Sequence, residues 1–219
     1  MSSFFKKLTL LKGRWGPLLG ALVVLVALAA LALMLPVQEA PETVAPKGPE
    51  ASAPLPSRKS FALINQDGKT VRDTDFAGKY LLIYFGYTSC PDMCPTGLSS
   101  ISHALDQLGK ESDKVQPLFI TVDPARDTPT RLKEYDASFH PKIIGLTGTE
   151  AQIAAAAKAY DVYYKKGEGE EEYEVDHSSL IYLVDPSGAL MTTFDEEVAP
   201  TKLTAALRKA WKAAPTFAR

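Results

Sequence analysis

The chain has 219 residues, of which 46% are hydrophobic and 23% charged, and this composition excludes an intrinsically disordered protein. Its net charge of −2 is unevenly placed: residues 1–35 carry four basic residues and no acid, so +4 there leaves −6 for residues 36–219. The sequence has no glycine-rich phosphate loop and no basic nucleic-acid patch, so no nucleic-acid partner is expected. The charge asymmetry is typical of a membrane protein.

The apolar segment of residues 18–35 contains 18 residues without a charge or a hydrogen-bonding side chain. This length is sufficient for a membrane-spanning helix. Because the basic residues flank it only on the amino side, the positive-inside rule predicts a cytoplasmic segment over residues 1–14, a transmembrane anchor over 15–35 and an exported remainder. A cleaved signal peptide is the alternative, but the apolar region exceeds the usual ~7–15 residues and no Ala-x-Ala site follows it. We expect a single-pass protein of the inner (cytoplasmic) membrane, with its folded domain in the periplasm or an equivalent exported space.

A proline-rich segment follows over residues 36–58 and holds six of the sixteen prolines of the chain. It predicts a stiff linker that could reach up to roughly 70 Å at ~3.1 Å per residue. Such a reach suits a target that is itself in the membrane. The folded domain is expected over residues 59–215.

The first half of this domain alternates predicted strands and helices. Residues 61–64 and 69–71 flank an Asn-Gln-Asp-Gly turn and predict a short hairpin. Apolar runs at residues 81–85 and 115–122 predict two strands, separated by a helix that runs to about Gly109. A strand, a helix and a strand in this order imply a parallel pair with a right-handed crossover.

The second half continues this alternation. Thr128, followed by a proline, and Thr149, followed three residues later by Gln152, predict the starts of two helices, the first of which ends at His140-Pro141. Further strands are predicted at residues 143–146, 180–184 and 189–194, and a closing helix at residues 201–211. The order of elements predicts an α/β domain with a thioredoxin-like fold.

Cys90 and Cys94 are the only cysteines and lie four residues apart, directly after the first predicted central strand. Each precedes a proline, so neither is expected inside a regular helix. If Pro95 is the first helical residue, Cys94 is the N-cap, and the helix amides and dipole favour its thiolate. Two sulfurs at the carboxyl end of a strand predict a redox couple or a soft-metal site. A structural disulfide is the alternative, although bridging so small a loop removes little entropy from the unfolded chain.

A metal site would need a third ligand, which the three histidines could supply. His103 lies off the apolar stripe of its helix, which favours a solvated position, and His140 suits a helix-ending role. His177 stands at the mouth of a predicted strand, where a loop could fold over the cysteine turn, but spacing alone leaves this choice open. Met93 is a soft candidate that we expect to serve in packing, and Asp92 is expected to cap the turn.

The motif at residues 84–95, Tyr-Phe-Gly-Tyr-Thr-Ser-Cys-Pro-Asp-Met-Cys-Pro, closely resembles the signature of the Sco family, also called SenC or PrrC. Later blocks resemble further motifs of this family in the right order, so that the resemblance covers roughly residues 60–210; the blocks are residues 122–129, 145–149, 175–178, 182–183 and 185–188.

The resemblance to the Sco family implies a membrane-tethered copper chaperone with a thioredoxin-like fold. It implies that Cys90, Cys94 and His177 bind copper, as Cu(I) or Cu(II), and that the protein helps to assemble the copper A centre of cytochrome c oxidase. Two thiolates and an imidazole suit Cu(I). Asp176 or Asp123 would support these ligands from outside the coordination shell. The implied partners are the copper-bearing oxidase subunit, other copper chaperones and thiol reductants.

A thiol-disulfide oxidoreductase is the main alternative, with Cys90 and Cys94 as a redox pair that reduces an oxidase subunit or another exported protein. Reductases of this fold resemble Trp-Cys-x-x-Cys with a later cis-proline, whereas here Ser89 replaces the tryptophan and no proline lies between Pro141 and Pro186. A one-cysteine peroxidase is a third alternative, but this chain lacks the motif that such enzymes share. The acidic run over residues 168–174 predicts a solvated loop, with partner docking as the alternative.

Overall fold

The structure is a computed structural model that describes residues 59–169 and 172–213. The predicted cytoplasmic segment, transmembrane anchor and linker lie outside these residues. Within the described ranges, no helix combines the length and the apolar character that crossing a bilayer requires.

The described residues form nine strands and four helices. Two short 3-10 segments, Asp73–Phe76 and Gly109–Lys114, lie between them. In chain order the strands and helices are β1 (Ala62–Asn65), β2 (Thr70–Arg72), β3 (Tyr80–Gly86), α1 (Met93–Leu108), β4 (Val115–Thr121), α2 (Pro129–Asp136), β5 (Ile144–Thr147), α3 (Glu150–Ala159), β6 (Tyr164–Lys166), β7 (Val175–His177), β8 (Leu180–Val184), β9 (Leu190–Asp195) and α4 (Pro200–Ala213).

The main sheet has seven strands in the order β2-β1-β5-β4-β3-β8-β9. Strands β3, β4 and β5 are parallel, and the outer strands pair antiparallel. Every residue of β3 and β4 is buried, as expected for parallel strands covered on both faces. This arrangement confirms the predicted parallel pair and the predicted α/β class.

Two of the helix starts follow the predicted capping chemistry. The side chain of Thr128 accepts a hydrogen bond from the Arg131 amide, and Thr149 forms a reciprocal capping box with Gln152. The end of α2 differs from the prediction, since the helix stops at Asp136 rather than at His140. Beyond it the amide of Phe139 bonds back to the Asp136 carbonyl, a tighter turn than the helical pattern allows.

Strands β6 and β7 form a separate two-stranded antiparallel sheet that the sequence analysis did not predict. Tyr164 pairs with His177, and Lys166 pairs with Val175. The acidic run lies in the connection between the two strands. His177 is therefore the last residue of a strand, and the hairpin, rather than an irregular loop, determines its position.

The strand pairing brings three connections to the same end of the main sheet. Strands β3 and β4 are parallel, so their carboxyl ends lie together, which is where α/β sheets bind ligands. Strand β8 runs antiparallel to β3, with Tyr84 opposite Ile181, so β8 begins beside the carboxyl end of β3. The connections after β3, after β4 and before β8 therefore meet there.

Candidate metal centre

The cysteine turn differs from its predicted form. Helix α1 begins at Met93 with Asp92 in the N-cap position, so Cys94 lies inside the first helical turn. The prediction that Cys94 caps a helix beginning at Pro95 is therefore wrong. The first-turn amides of a helix have no intrahelical partner, so Pro95 costs no helical hydrogen bond and the helix starts two residues earlier.

Three donor atoms converge above this turn. The Sγ of Cys94 lies 3.7 Å from the Nε2 of His177, and the Sγ of Cys90 accepts a hydrogen bond from the Cys94 amide at 3.4 Å. The donor atoms of the three residues all lie within 4.8 Å of one another. Both cysteines are free thiols, and Cys94 is 0% exposed against 8% for Cys90. Among the described residues, this is the only such group of three or more cysteine, histidine or acidic side chains.

Gly86 makes room for the buried sulfur. A Cβ atom at this position would lie 2.5 Å from the Cys94 Sγ and 2.9 Å from Cε2 of Phe119. Neither neighbour is exposed. The last residue of β3 must therefore lack a side chain if Cys94 is to point toward His177.

The His177 ring is oriented by two contacts. Its Nδ1 lies 3.2 Å from the Ser178 carbonyl, which can only accept, so the proton is on Nδ1 and the Nε2 lone pair faces the cysteines. The Tyr87 ring packs edge-on against the imidazole, with the ring centroids 5.8 Å apart. The ring is thus set to donate an electron pair toward the sulfurs.

The other two histidines lie elsewhere. His103 is exposed, as expected from its place on the helix. The Nδ1 of His140 accepts a hydrogen bond from the Lys142 amide, and its Nε2 lies 3.8 Å from Asp106. Only His177 of the three histidines joins the cysteines.

The two thiols differ in acidity. The pKa of Cys90 is lowered to about 4, mainly because its sulfur accepts a hydrogen bond from the Cys94 thiol, although burial opposes this effect. The same hydrogen bond, together with burial, raises the pKa of Cys94. The reduced pair therefore holds one thiolate at neutral pH, on Cys90, whereas the sequence analysis assigned it to Cys94.

The remaining candidates do not join the three donors. Met93 is 41% exposed at the rim of an open cleft of about 670 Å³ that Cys90 and His177 also line, so it is not the packing residue we expected. The Asp92 side chain makes no capping hydrogen bond. Asp176 is exposed, and the buried carboxylate of Asp123 accepts hydrogen bonds from Arg126 and Tyr173.

The connection after β4 holds the cysteine turn, a role that the sequence analysis missed. Fully buried Asp127 accepts hydrogen bonds from the amide of Thr88 at 3.0 Å, its hydroxyl at 2.6 Å and the Thr121 hydroxyl at 2.6 Å. Burial raises the pKa of Asp127. The position of Asp127 after β4 was the signal that could have identified this role, because polar residues that follow neighbouring parallel strands meet at the same end of the sheet.

Comparison with known proteins agrees with this geometry. The sequence model of the SCO1/SenC family matches residues 49–212. A SCO2-like protein of Rickettsia felis is 42% identical over 146 residues, which are 65% of this chain and 71% of the relative. The structure of Bradyrhizobium japonicum ScoI with copper bound is 45% identical, with a TM-score of 0.65 over 68% of this chain and 96% of that one.

A disulfide switch has been identified in a more distant relative of known structure. BsSco, a member of the Sco family of cytochrome c oxidase assembly proteins with an identified disulfide switch, is 25% identical, with a TM-score of 0.59 over 74% of this chain and 98% of that one. The family match covers well over half of the chain, and the fold and the motifs agree with it. The chain therefore belongs to the SCO1/SenC family.

Proposed function

We propose that this protein is a membrane-tethered copper chaperone that binds one copper ion through Cys90, Cys94 and His177 and delivers it to the copper A centre of cytochrome c oxidase. The observation that carries the proposal is the convergence of two sulfurs and an imidazole nitrogen within 4.8 Å. Copper in the related ScoI structure, and the oxidase-assembly role of the family of BsSco, support it.

The donor set matches the chemistry of copper. Thiolate and imidazole ligands favour soft or borderline ions, and they disfavour magnesium and calcium. A metal-bound thiol must lose its proton, and here Cys90 is already ionised while Cys94 releases its proton on binding. Because Cys90 and His177 line an open cleft, a client's ligands can approach the ion.

Oxidation provides a gate for binding. A disulfide between Cys90 and Cys94 would remove two of the three donors, so only the reduced protein holds copper. The disulfide switch identified in BsSco supports this extension of the proposal.

Competitive titration of the reduced protein with Cu(I) and a chromogenic chelator tests the site. We expect one equivalent of copper for the wild type and a large loss of affinity in His177→Ala and Cys94→Ala. His103→Ala is the matched control, because it removes an exposed imidazole from the same domain. One equivalent bound with unchanged affinity in both site variants would contradict the proposed ligands.

The membrane and client parts of the proposal have separate tests. The charge distribution and the apolar segment of residues 18–35 support an anchor with the domain outside the cytoplasm. Protease added to intact spheroplasts should then release the domain while the anchor stays in the membrane. Copper-loaded protein should transfer its ion to a copper-free soluble domain of the oxidase subunit, and failure of this transfer would contradict delivery.

Thiol-disulfide exchange is a second candidate, favoured by the asymmetry of the two thiols. The Cys90 thiolate would attack a client disulfide, form a mixed disulfide and release one client thiolate. Cys94 would then lose its proton and attack the Cys90 sulfur, releasing the second client thiolate. The client gains two electrons and the pair becomes a disulfide. Turnover of a disulfide-bearing oxidase fragment that is lost in Cys90→Ser but retained in His177→Ala would favour this function over copper delivery.

A further inference from the structure

The hairpin of β6 and β7 carries His177 but shares no strand pairing with the seven-stranded sheet. An isolated two-stranded hairpin is marginally stable in water. Side-chain contacts between this hairpin and the rest of the domain therefore decide whether the imidazole stays beside the sulfurs.

Tyr173, two residues before β7, contacts the rest of the domain through both its hydroxyl and its ring. Its hydroxyl donates a hydrogen bond to Oδ1 of Asp123 at 2.6 Å, and the guanidinium of Arg126 lies 3.7 Å from the centre of its ring. The ammonium of Lys166, in β6, lies 3.9 Å from the same ring centre. The side chain is 8% exposed, although the residue lies at the end of an acidic connection.

The partners of Tyr173 belong to the connection after β4, which also holds the cysteine turn. Arg126 donates a hydrogen bond to the second carboxylate oxygen of Asp123, so the two partners are themselves joined. Four residues after Asp123, the carboxylate of Asp127 binds Thr88, two residues before Cys90. One connection thus contacts both segments that carry the donor atoms.

We propose that Tyr173 is a positioning residue for copper capture. It forms a latch with Asp123 and Arg126 that holds the hairpin so that His177 lies beside Cys94. The latch acts on the hairpin whether or not metal is present, and its consequence for copper rests on the proposed function.

The contacts predict a graded effect. A hydrogen bond to an ionised group shifts a local equilibrium by roughly ten- to a hundredfold. Tyr173→Phe keeps the ring and removes the hydroxyl, and we expect hairpin opening to increase about tenfold. Tyr173→Ala also removes the stacked ring, and we expect an increase of about a hundredfold.

Hydrogen exchange on the reduced, copper-free full chain measures this opening. The amides of Gly167 and Ser178 report on it, because they bond across the hairpin to Glu174 and Tyr163. The amides of β3 and β4 are the internal reference. Tyr163→Phe is the matched control, since this tyrosine is 54% exposed at the base of the same hairpin.

Faster exchange in the hairpin alone, in the order Tyr173→Ala, Tyr173→Phe, wild type, would support the latch. Unchanged exchange in both variants would overturn it. Equal acceleration in β3 and β4 would also overturn it, because Tyr173 would then be an ordinary contributor to the stability of the whole domain.

X-ray absorption of the Cu(I)-loaded proteins gives a second readout. We expect two sulfurs and one nitrogen around copper in the wild type and in Tyr163→Phe. In Tyr173→Ala we expect the two sulfurs with a reduced nitrogen contribution, at unchanged stoichiometry. Full nitrogen coordination in Tyr173→Ala would contradict the positioning role. If the wild type bound no copper, the proposed function would fail, and hydrogen exchange would still decide the latch.

Discussion

Replacement of Gly86 by alanine tests how closely the fold is fitted to the buried sulfur. The added Cβ would stand 2.5 Å from the Cys94 Sγ and 2.9 Å from Phe119 Cε2. Favourable contacts between heavy atoms of this size lie at about 3.5–4.0 Å, so the sulfur would have to move by about 1 Å. Neither neighbour is exposed, so neither can move into solvent.

The Gly86→Ala substitution should affect both stability and copper binding. Overpacking of a filled core costs about 1–3 kcal/mol of the free energy of unfolding. For a chain of this size that corresponds to a fall in Tm of roughly 2–12 °C. Displacing one donor should lower Cu(I) affinity by about tenfold or more, in the range found for disturbed surroundings of metal ligands.

Gly145→Ala provides the matched control for this prediction. It also adds a methyl group to a central strand, but the new atom would meet Asp136 and Leu132 instead of a sulfur. Thermal unfolding and competitive Cu(I) titration should be run on both variants. We expect both to lose stability and only Gly86→Ala to lose affinity. Equal Cu(I) affinity of the two variants would refute the argument that Gly86 sets the position of Cys94.

Three further predictions concern titration and support of the site. Because the pKa of Cys90 is lowered to about 4, the rate at which iodoacetamide alkylates it should be nearly constant from about pH 6 to 8, and Cys94 should not react. A tenfold rise in the Cys90 rate per pH unit would contradict this prediction. Burial raises the pKa of Asp136 from 3.8 to about 7, so the native state keeps a proton that the unfolded state has lost. The contribution of Asp136 to the free energy of unfolding should therefore fall by about 1.4 kcal/mol per pH unit between about pH 4 and 7, whereas the lowered pKa of Cys90 makes its own contribution rise. Urea titrations should show the free energy of unfolding of the wild type falling with pH relative to that of Asp136→Asn over this range, and an identical pH dependence of the two proteins would contradict the assignment. Asp127→Ala should lower the free energy of unfolding by about 2–4 kcal/mol, since three donors lose their acceptor, whereas Asp113→Ala, at an exposed ion pair, should change it by less than about 1 kcal/mol.

The sequence predicts the elements whose signals are local. The apolar runs of β3 and β4 and the capping residues Thr128 and Thr149 depend on neighbours within a few positions, and the structure confirms them. The predicted start of α1 was wrong because the rule that a residue before proline avoids the helical region is only a preference. Pro95 lies in the first turn, where a backbone N–H would have no helical partner, so the helix can begin at Met93.

The candidate site depends on long-range pairing that one sequence does not reveal. His177 could be singled out only through the family resemblance, because its approach to Cys94 follows from the pairing of β8 with β3. Strands β6 and β7 have three residues each and no alternating pattern, so they read as part of an acidic connection. The role of Tyr173 also depends on long-range contacts, since its partners Asp123 and Arg126 lie about fifty positions earlier.

The unequal accessibility of the two sulfurs sets an order of events for any handover. An incoming ligand can reach Cys90 from the cleft, whereas Cys94 is sealed beneath the end of β3. If the protein delivers copper as proposed, the client would therefore displace the outer sulfur, Cys90, before the inner one, Cys94. In that order the ion would stay bound to one protein or the other throughout, and no free, oxidation-prone cuprous ion would enter the surrounding water.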